Sequence, residues 1–213
     1  MAASAGQLPM KLWYNSPAQY FEESLPIGNG KLGALVYGNP DQDILYLNDI
    51  TFWTGKPVNL NEGGDAYKYI PLIRQELFKE NYKEADILQH LVQGHNSENY
   101  QPLSTLKIND YAKGSVSNYY RELDIDSAIT KVRYTRGDVT FNREYLASNP
   151  DKLIAIHLTA SKKASINCEI LLTGQTPHKI KASDKQITML GNAIGDPKES
   201  IHFCSILKVN NQG

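Results

Sequence analysis

The feature that most constrains the fold is a period of two in the apolar residues, which recurs from Leu103 to the end of the chain. Alternation of polar and apolar residues places every second side chain on the same face of a β-strand. Runs of this kind occupy residues 103–108, 119–125, 128–134, 139–147, 152–159, 165–172 and 200–209. Many short strands separated by turns are typical of an antiparallel sandwich, and we therefore predict a mainly β fold.

Turn residues support this prediction at two places. Asn39-Pro40-Asp41 separates two apolar runs, residues 32–37 and 44–47. This turn predicts a β-hairpin because proline fixes φ while asparagine and aspartate tolerate turn geometry. Arg136-Gly137-Asp138 predicts another hairpin between two of the later runs.

Between Asp65 and Gly94 the apolar residues recur every three to four positions, which predicts helices. Asn81 followed by Glu84 resembles a capping box, so a second helix is predicted to begin there. The first helical face consists of Tyr69, Ile70, Ile73, Leu77 and Phe78, and the second of Tyr82, Ala85, Leu88, Leu91 and Val92. We predict two short helices inserted into the β domain, with Gly94 as the stop.

Residues 28–33 match the three-glycine pattern of dinucleotide-binding proteins, with glycine at positions 28, 30 and 33. That pattern needs a strand before it and a helix after it, so that the helix amino terminus meets the pyrophosphate. No strand is predicted before Gly28, and strand-forming residues follow Gly33. We therefore expect a tight turn into a strand and no nucleotide site.

Three carboxylates, Glu122, Asp124 and Asp126, alternate with apolar residues and share one predicted strand face. Paired carboxylates are the acid and base of glycoside hydrolysis, but a solvated outer face of a half-buried strand gives the same pattern. A catalytic acid needs an apolar setting that raises its pKa, and this segment supplies none. We favour the solvated face.

Charge and length of apolar runs exclude some classes of partner. The formal net charge is -1, so the chain lacks the basic surface that neutralises phosphates, and we predict no nucleic-acid partner. No run approaches the roughly eighteen apolar residues of a membrane span. Residues 1–10 lack the regions of a signal peptide, and we expect a disordered leader or tag there. The turn residues after position 209 predict truncation at the carboxyl end.

The cysteines and histidines predict no metal site and no cofactor. Cys168 and Cys204 each lie in a strand-like run, and two small buried thiols are favoured over a disulfide. Among the histidines only His90 and His95 lie close together, and a spacing of five does not place two ligands on one helical face.

Aromatic residues beside loops carry the clearest functional signal. Trp13, Trp53 and Tyr100 lie next to predicted loops, and Asn48 and Gln101 lie close to the last two in sequence. Exposed aromatic faces stack on the C–H faces of sugars, while amides hydrogen-bond hydroxyls. The alternative is that these rings are core residues, and composition leaves the two interpretations nearly even. We predict Asn48, Trp53, Tyr100 and Gln101 as substrate-binding residues.

Several blocks of residues, in order along the chain, resemble the opening of glycoside hydrolase family 95, the α-L-fucosidase type. The clearest are residues 25–38, which contain Gly28-Asn29-Gly30, and residues 47–55, which contain Asn48 and Trp53. Further matches follow at residues 82–85, 100–103, 120–128 and 143–151. The similarity covers residues 11–160 well and the rest loosely.

The resemblance implies an antiparallel β-super-sandwich at the amino terminus of a longer bacterial enzyme that is secreted or periplasmic. It also implies inverting hydrolysis of terminal α-L-fucosides, or α-L-galactosides, by an (α/α)₆ barrel beyond this chain. Because the family's catalytic residues belong to that barrel, none is transferred here. We expect residues 11–213 to form the sandwich domain, inactive alone, with the barrel and fucosylated or galactosylated glycans as partners.

Two other functions stay open from the sequence. The loop aromatics Trp53 and Tyr100 would also suit a stand-alone carbohydrate-binding module. The helical insertion, residues 65–94, would suit a structural fragment that docks on a partner domain.

Overall fold

The computed structural model describes residues 10–56, 63–94 and 98–211. The predicted mainly β, antiparallel architecture with a two-helix insertion is confirmed. The strands are Lys11–Tyr14 (β1), Leu25–Gly28 (β2), Leu32–Val36 (β3), Gln42–Asp49 (β4), Ser104–Asp110 (β5), Val116–Asp124 (β6), Ile129–Arg136 (β7), Val139–Ser148 (β8), Leu153–Ala160 (β9), Cys168–Thr173 (β10), His178–Ser183 (β11), Gln186–Asn192 (β12) and His202–Lys208 (β13). The helices are Ile70–Phe78 (α1) and Tyr82–Gln89 (α2).

The described strands form three antiparallel sheets. The first has the order β1-β6-β7-β8-β9, the second β10-β5-β4-β3-β2, and the third β11-β12-β13. Both predicted hairpins are confirmed, since β3 pairs with β4 across the Asn39-Pro40-Asp41 turn and β7 pairs with β8 across Gly137 and Asp138. Gly137 adopts a φ of 56°, which suits the tight turn because glycine has no Cβ to clash.

The core lies where the inner faces of the sheets meet. In the strands that line the core, alternate residues point inward, as the period of two predicts. The second sheet contributes Ile27, Ala34, Val36, Leu45, Leu106, Ile108 and Leu172, and the first contributes Val132, Tyr134, Phe141, Tyr145 and Ala147. Met189 from the third sheet belongs to the same cluster, so one continuous core joins all three sheets.

The strand β2 corrects one expectation, because a strand does precede Gly28. Leu25 and Ile27 are buried and the proline between them, Pro26, is exposed. Because proline is apolar, the sequence shows no alternation of polar and apolar residues at this strand. The glycine motif is nevertheless a hairpin turn. Asn29 accepts hydrogen bonds at Oδ1 from the backbone N–H groups of Lys31 and Leu32, at 3.0 and 2.7 Å. A strand instead of a helix follows, so the geometry that binds a pyrophosphate is missing.

The two helices form as predicted, but the predicted capping box does not. Asn81 precedes α2 without a side-chain cap, and its Nδ2 instead donates to Glu76 Oε2 at 2.9 Å. Glu80 has a φ of 58° and reverses the chain between the helices. The second helix ends at Gln89, before the predicted stop at Gly94.

Both cysteines are free, as expected. The expected burial is wrong for Cys204, which is exposed because its position on β13 faces outward, while Cys168 is half-buried. The expected leader, residues 1–10, lies outside the described residues apart from Met10, and so does His95. In the part of the chain described here, neither helix is long or apolar enough to cross a bilayer.

Candidate functional site

The four predicted substrate-binding residues lie together at the base of the helical insertion. Trp53 and Tyr100 form an isolated antiparallel bridge, and their rings meet edge to face with centroids 6.0 Å apart. The Tyr100 hydroxyl donates to Asn48 Oδ1 at 2.7 Å. The backbone N–H of Gln101 donates to the carbonyl oxygen of Phe52 at 2.9 Å. We call residues 52–54 and 98–101, which carry the chain into and out of the insertion, the neck.

The neck leaves the sheet through a turn that follows β4. Asp49 Oδ1 accepts hydrogen bonds from the backbone N–H and the hydroxyl of Thr51, at 2.9 and 2.7 Å. Phe52 is then buried, and its ring packs edge to face on Phe203 of β13 at 5.0 Å between centroids. This aromatic anchor holds the base of the neck on the third sheet.

The two segments of the neck are also joined beyond Trp53. The backbone N–H of Thr54 donates to the carbonyl of Asn99 at 2.8 Å, and the N–H of Asn99 donates to Thr54 Oγ1 at 2.9 Å. The Thr54 hydroxyl in turn donates to Glu98 Oε2 at 2.7 Å. Backbone and side-chain hydrogen bonds therefore close the insertion at its base.

Two aromatic side chains of the neck are exposed. Trp53 is 40% exposed and Tyr100 is 43% exposed, so each ring offers apolar surface to solvent. The indole N–H of Trp53 is already used, because it donates to the carbonyl of Ile50 at 2.8 Å. Gln101 is buried, and its Nε2 donates to the carbonyl of Tyr100 at 3.2 Å. The polar atoms of the Trp53 and Tyr100 side chains are thus satisfied within the protein, whereas Gln101 Oε1 has no hydrogen-bond partner among the described residues.

The Tyr100 hydroxyl stays protonated at neutral pH. Burial raises the pKa of Tyr100, and the negative charge of Asp49 raises it further. A protonated phenol can donate to Asn48 while its ring stays free for stacking, so the Tyr100–Asn48 contact fixes the ring orientation.

The remaining predicted candidates lie elsewhere. Trp13 is on β1, where it stacks on Tyr120 with ring centroids 6.3 Å apart, and it does not join the neck. Glu122 accepts hydrogen bonds from Tyr120 and Lys11, which lower its pKa. Asp124 caps the turn after β6 by accepting from backbone N–H groups, and the Ser127 contacts lower its pKa. Lowered pKa values are the reverse of what a catalytic acid needs.

The sequence interpretation missed a buried charged cluster between the first two sheets. Arg143 lies at an inward-facing position of β8, and its Nη2 donates to Tyr134 Oη at 2.7 Å and to Asp110 Oδ2 at 3.2 Å. Its Nη1 lies 3.6 Å from Asp43 Oδ2, and Asp43 also accepts from the Tyr145 hydroxyl. The sequence did contain a signal of this burial, because Arg143 occupies the same face of the predicted strand as Phe141 and Tyr145.

This cluster is structural and not a reaction centre. Burial raises the pKa of Asp43, while Arg143, Tyr145 and the backbone N–H of Gly38 oppose that effect. The cavity beside Asp110 and Arg143 holds about 10 Å³, the space of a single water molecule and far too small for a sugar. Both carboxylates are therefore occupied by protein donors and inaccessible to substrate.

Among residues 10–56, 63–94 and 98–211 no group of three or more histidine, cysteine, aspartate or glutamate side chains has the geometry of a metal site.

The described residues form an antiparallel β-sandwich with an exposed aromatic pair at the base of its helical insertion, and the buried carboxylates Asp43 and Asp110 contact arginine and tyrosine side chains. Residues 12–213 match the sequence model of the family described as Glycosyl hydrolase family 65, N-terminal domain. The chain belongs to this family.

Curated relatives give the same picture in more detail. The chain is 33% identical over 189 residues to "Alpha-L-fucosidase 2" of Arabidopsis thaliana, which covers 86% of this chain and 22% of that protein. It is 27% identical over 196 residues to "Probable alpha-fucosidase A" of Aspergillus niger, covering 84% and 24%. It is 26% identical over 162 residues to the protein of that name from Aspergillus oryzae, covering 72% and 22%. The chain thus spans about a fifth to a quarter of the length of these relatives, and the predicted resemblance to the amino-terminal domain of an α-L-fucosidase-type hydrolase is confirmed.

The structure explains two of the blocks on which that resemblance was based. Asn29, in the glycine motif, donates from Nδ2 to the carbonyl of Ser148 at 2.7 Å, and Asn149 donates back to the carbonyl of Asn29 at 2.8 Å. Residues 28–30 and 148–150 therefore form one joint between the second and first sheets. The two asparagine side chains therefore help to join the first and second sheets.

Proposed function

We propose that this chain is the amino-terminal scaffold domain of an inverting glycoside hydrolase that acts on terminal α-L-fucosides, or α-L-galactosides. In this proposal residues 11–213 form the sandwich domain and support a catalytic (α/α)₆ barrel outside this chain. The observation that carries it is the family match over residues 12–213, together with alignments that cover only about a fifth to a quarter of the α-fucosidase relatives. A bacterial origin and secretion belong to the same proposal.

The chemistry of the described residues supports a scaffold role. Glycoside hydrolysis by an inverting mechanism needs two carboxyl groups that face a sugar, separated by about 6.5–9.5 Å to admit a water. The buried carboxylates Asp43 and Asp110 contact arginine and tyrosine instead, and Glu122 and Asp124 have lowered pKa values. The described part of the chain therefore offers no acid with a raised pKa in an open cleft.

The first prediction concerns activity. The isolated 213-residue chain is expected to release no nitrophenol from nitrophenyl α-L-fucoside and no fucose from 2′-fucosyllactose above the buffer blank. A longer polypeptide that includes the downstream barrel provides the positive control, and it is expected to hydrolyse both substrates. Turnover by the isolated chain at a rate proportional to its concentration would refute the scaffold assignment.

A second candidate function is carbohydrate binding, which one observation favours. The structure brings Asn48, Trp53, Tyr100 and Gln101 to a single place, although more than forty residues separate Trp53 from Tyr100 in sequence. We propose that the exposed faces of Trp53 and Tyr100 stack on a fucosylated or galactosylated glycan, while Asn48 and Gln101 hold the rings in place.

The second prediction tests this site by titration calorimetry against fucose, galactose and 2′-fucosyllactose. Trp53→Ala and Tyr100→Ala are each expected to weaken binding by about two- to twelvefold, taking a lost aromatic contact as about 0.5–1.5 kcal/mol. Trp13→Ala is the matched control, because Trp13 is an exposed tryptophan outside the neck. Equal affinities for the Trp53 and Trp13 variants, or no heat at millimolar sugar, would exclude the neck as a glycan site.

A further inference from the structure

The helical insertion exposes apolar side chains that the described domain leaves uncovered. α1 has no buried residue, and α2 has only Ala85. In the described part of the chain each helix packs chiefly against the other helix. The exposed large apolar residues of the insertion are Tyr67, Ile70, Leu72, Leu77, Phe78, Tyr82, Ile87 and Leu91. We call this set the helical patch.

Two short helices of this kind need a surface to pack on. α1 has 9 residues and α2 has 8. Isolated helices shorter than about 12–15 residues are marginal in water, and helices in proteins are stabilised mainly by packing an apolar face. A helix pair that buries only one side chain does not satisfy that requirement, so the helical patch is suited to a contact beyond the described residues.

Four charged side chains of the insertion pair with one another. Lys79 lies 2.8 Å from Glu76, and Asn81 donates to the same carboxylate. Lys68 lies 2.7 Å from Asp65. Phe78, by contrast, is 88% exposed. An occupant therefore gains by covering apolar area, as at the centre of a protein–protein interface.

We propose that the helical patch docks on the catalytic part of the longer polypeptide, with Phe78 as the central contact; this inference rests on the proposed function. The matched region is only 22% of the Arabidopsis relative, so most of that protein lies outside the region that this chain represents. That length favours the catalytic part as the occupant. A covalently linked domain is present at millimolar effective concentration, whereas a second copy must be reached by diffusion.

The neck connects the helical patch to the candidate site at Trp53 and Tyr100. The base of the insertion is fixed to the sheets by the Phe52–Phe203 contact and the Thr54–Asn99 hydrogen bonds. Lys56 adds an ion pair with Glu199 at 3.1 Å. Docking of the helical patch would therefore place Trp53 and Tyr100 at the boundary between the sandwich and the catalytic part.

The test uses the full-length enzyme with Phe78→p-benzoylphenylalanine, a photo-crosslinking residue, and reads the crosslinks by mass spectrometry. The expected crosslinks join position 78 to residues beyond Gly213. Crosslinks only to a second copy, or only within residues 1–213, would overturn the inference. Fucoside hydrolysis is measured on the same sample and on the wild-type full-length enzyme. Active enzyme without the expected crosslinks rejects the docking alone, whereas an inactive wild-type enzyme rejects the proposed function.

A pair of serine variants gives a second readout. Phe78→Ser is expected to lower the Tm of the full-length enzyme by several degrees and to leave the Tm of the 213-residue chain unchanged. Tyr20→Ser is the control, because Tyr20 is an exposed aromatic residue outside the insertion. Equal effects of Phe78→Ser on the two proteins would contradict docking, since the side chain would then have the same surroundings in both.

Discussion

Replacement of Arg143 with methionine is expected to lower the free energy of unfolding by about 3–5 kcal/mol, because it leaves buried carboxylates without a cation. Asp43 is fully buried and Asp110 nearly so, and both face the guanidinium. The same guanidinium donates to the backbone carbonyls of Asn39 and Pro40, each at 2.9 Å. The variant therefore removes the charge partner and also releases the turn between β3 and β4.

Urea denaturation followed by circular dichroism measures this effect. Arg133→Met is the matched control, because Arg133 lies on the neighbouring strand β7 and is exposed. The control is expected to change stability by less than about 0.5 kcal/mol. The double variant Arg143→Met with Asp43→Asn is expected to be more stable than Arg143→Met alone, because a neutral amide costs less to bury than an unpaired carboxylate. A loss below about 1 kcal/mol for Arg143→Met would show that the cluster is not the main electrostatic support of the sandwich.

Replacement of Arg121 with methionine is expected to cost about 2–4 kcal/mol, from the loss of two hydrogen bonds made by a charged group. Arg121 is 1% exposed on β6. Its Nε donates to the carbonyl of Ser16 at 2.8 Å and its Nη1 to the carbonyl of Glu23 at 2.7 Å. The guanidinium also lies over the ring of Tyr14 at 4.3 Å. Arg121 thus attaches the amino-terminal segment, residues 14–24, to the first sheet.

Hydrogen exchange distinguishes this variant from the Arg143 variant. The Arg121 variant is expected to lose protection first in residues 14–24, because only that segment loses its partner, whereas the Arg143 variant is expected to lose protection across both sheets. Arg133→Met again serves as the control. Unchanged exchange in residues 14–24 would mean that other contacts hold the segment in place.

Local sequence pattern was sufficient for most of the fold. The alternation in β5 to β10 and in β13 is strong because each strand has one face in the core and one in solvent, and the two hairpin turns carry residues that suit their backbone angles. The strands β11 and β12 were missed for a physical reason. β11 is exposed along its whole length, so its residues carry no alternation, and it is a strand because it pairs with β12.

The candidate site, like the fold, was only partly predictable from the sequence. Trp53 and Tyr100 were recognisable as aromatic residues next to loops, with Asn48 and Gln101 close by. Their edge-to-face contact, the Tyr100–Asn48 hydrogen bond and the exclusion of Trp13 from the group all depend on the path of the chain through the helical insertion. Sequence periodicity could not predict these contacts, because the two segments of the neck that pair with each other are separated in sequence by the whole insertion.

The sequence by itself determined the secondary structure class, the turns and the membership of a glycoside hydrolase family, because these depend on the order of residue types along short segments. Only the tertiary structure decided which charges are buried together, which carboxylates are occupied and which apolar residues stay uncovered. Those properties depend on side chains from distant segments that meet across sheets. Arg143 with Asp43, and the exposed Phe78 on a helix with no core of its own, are the two clearest cases.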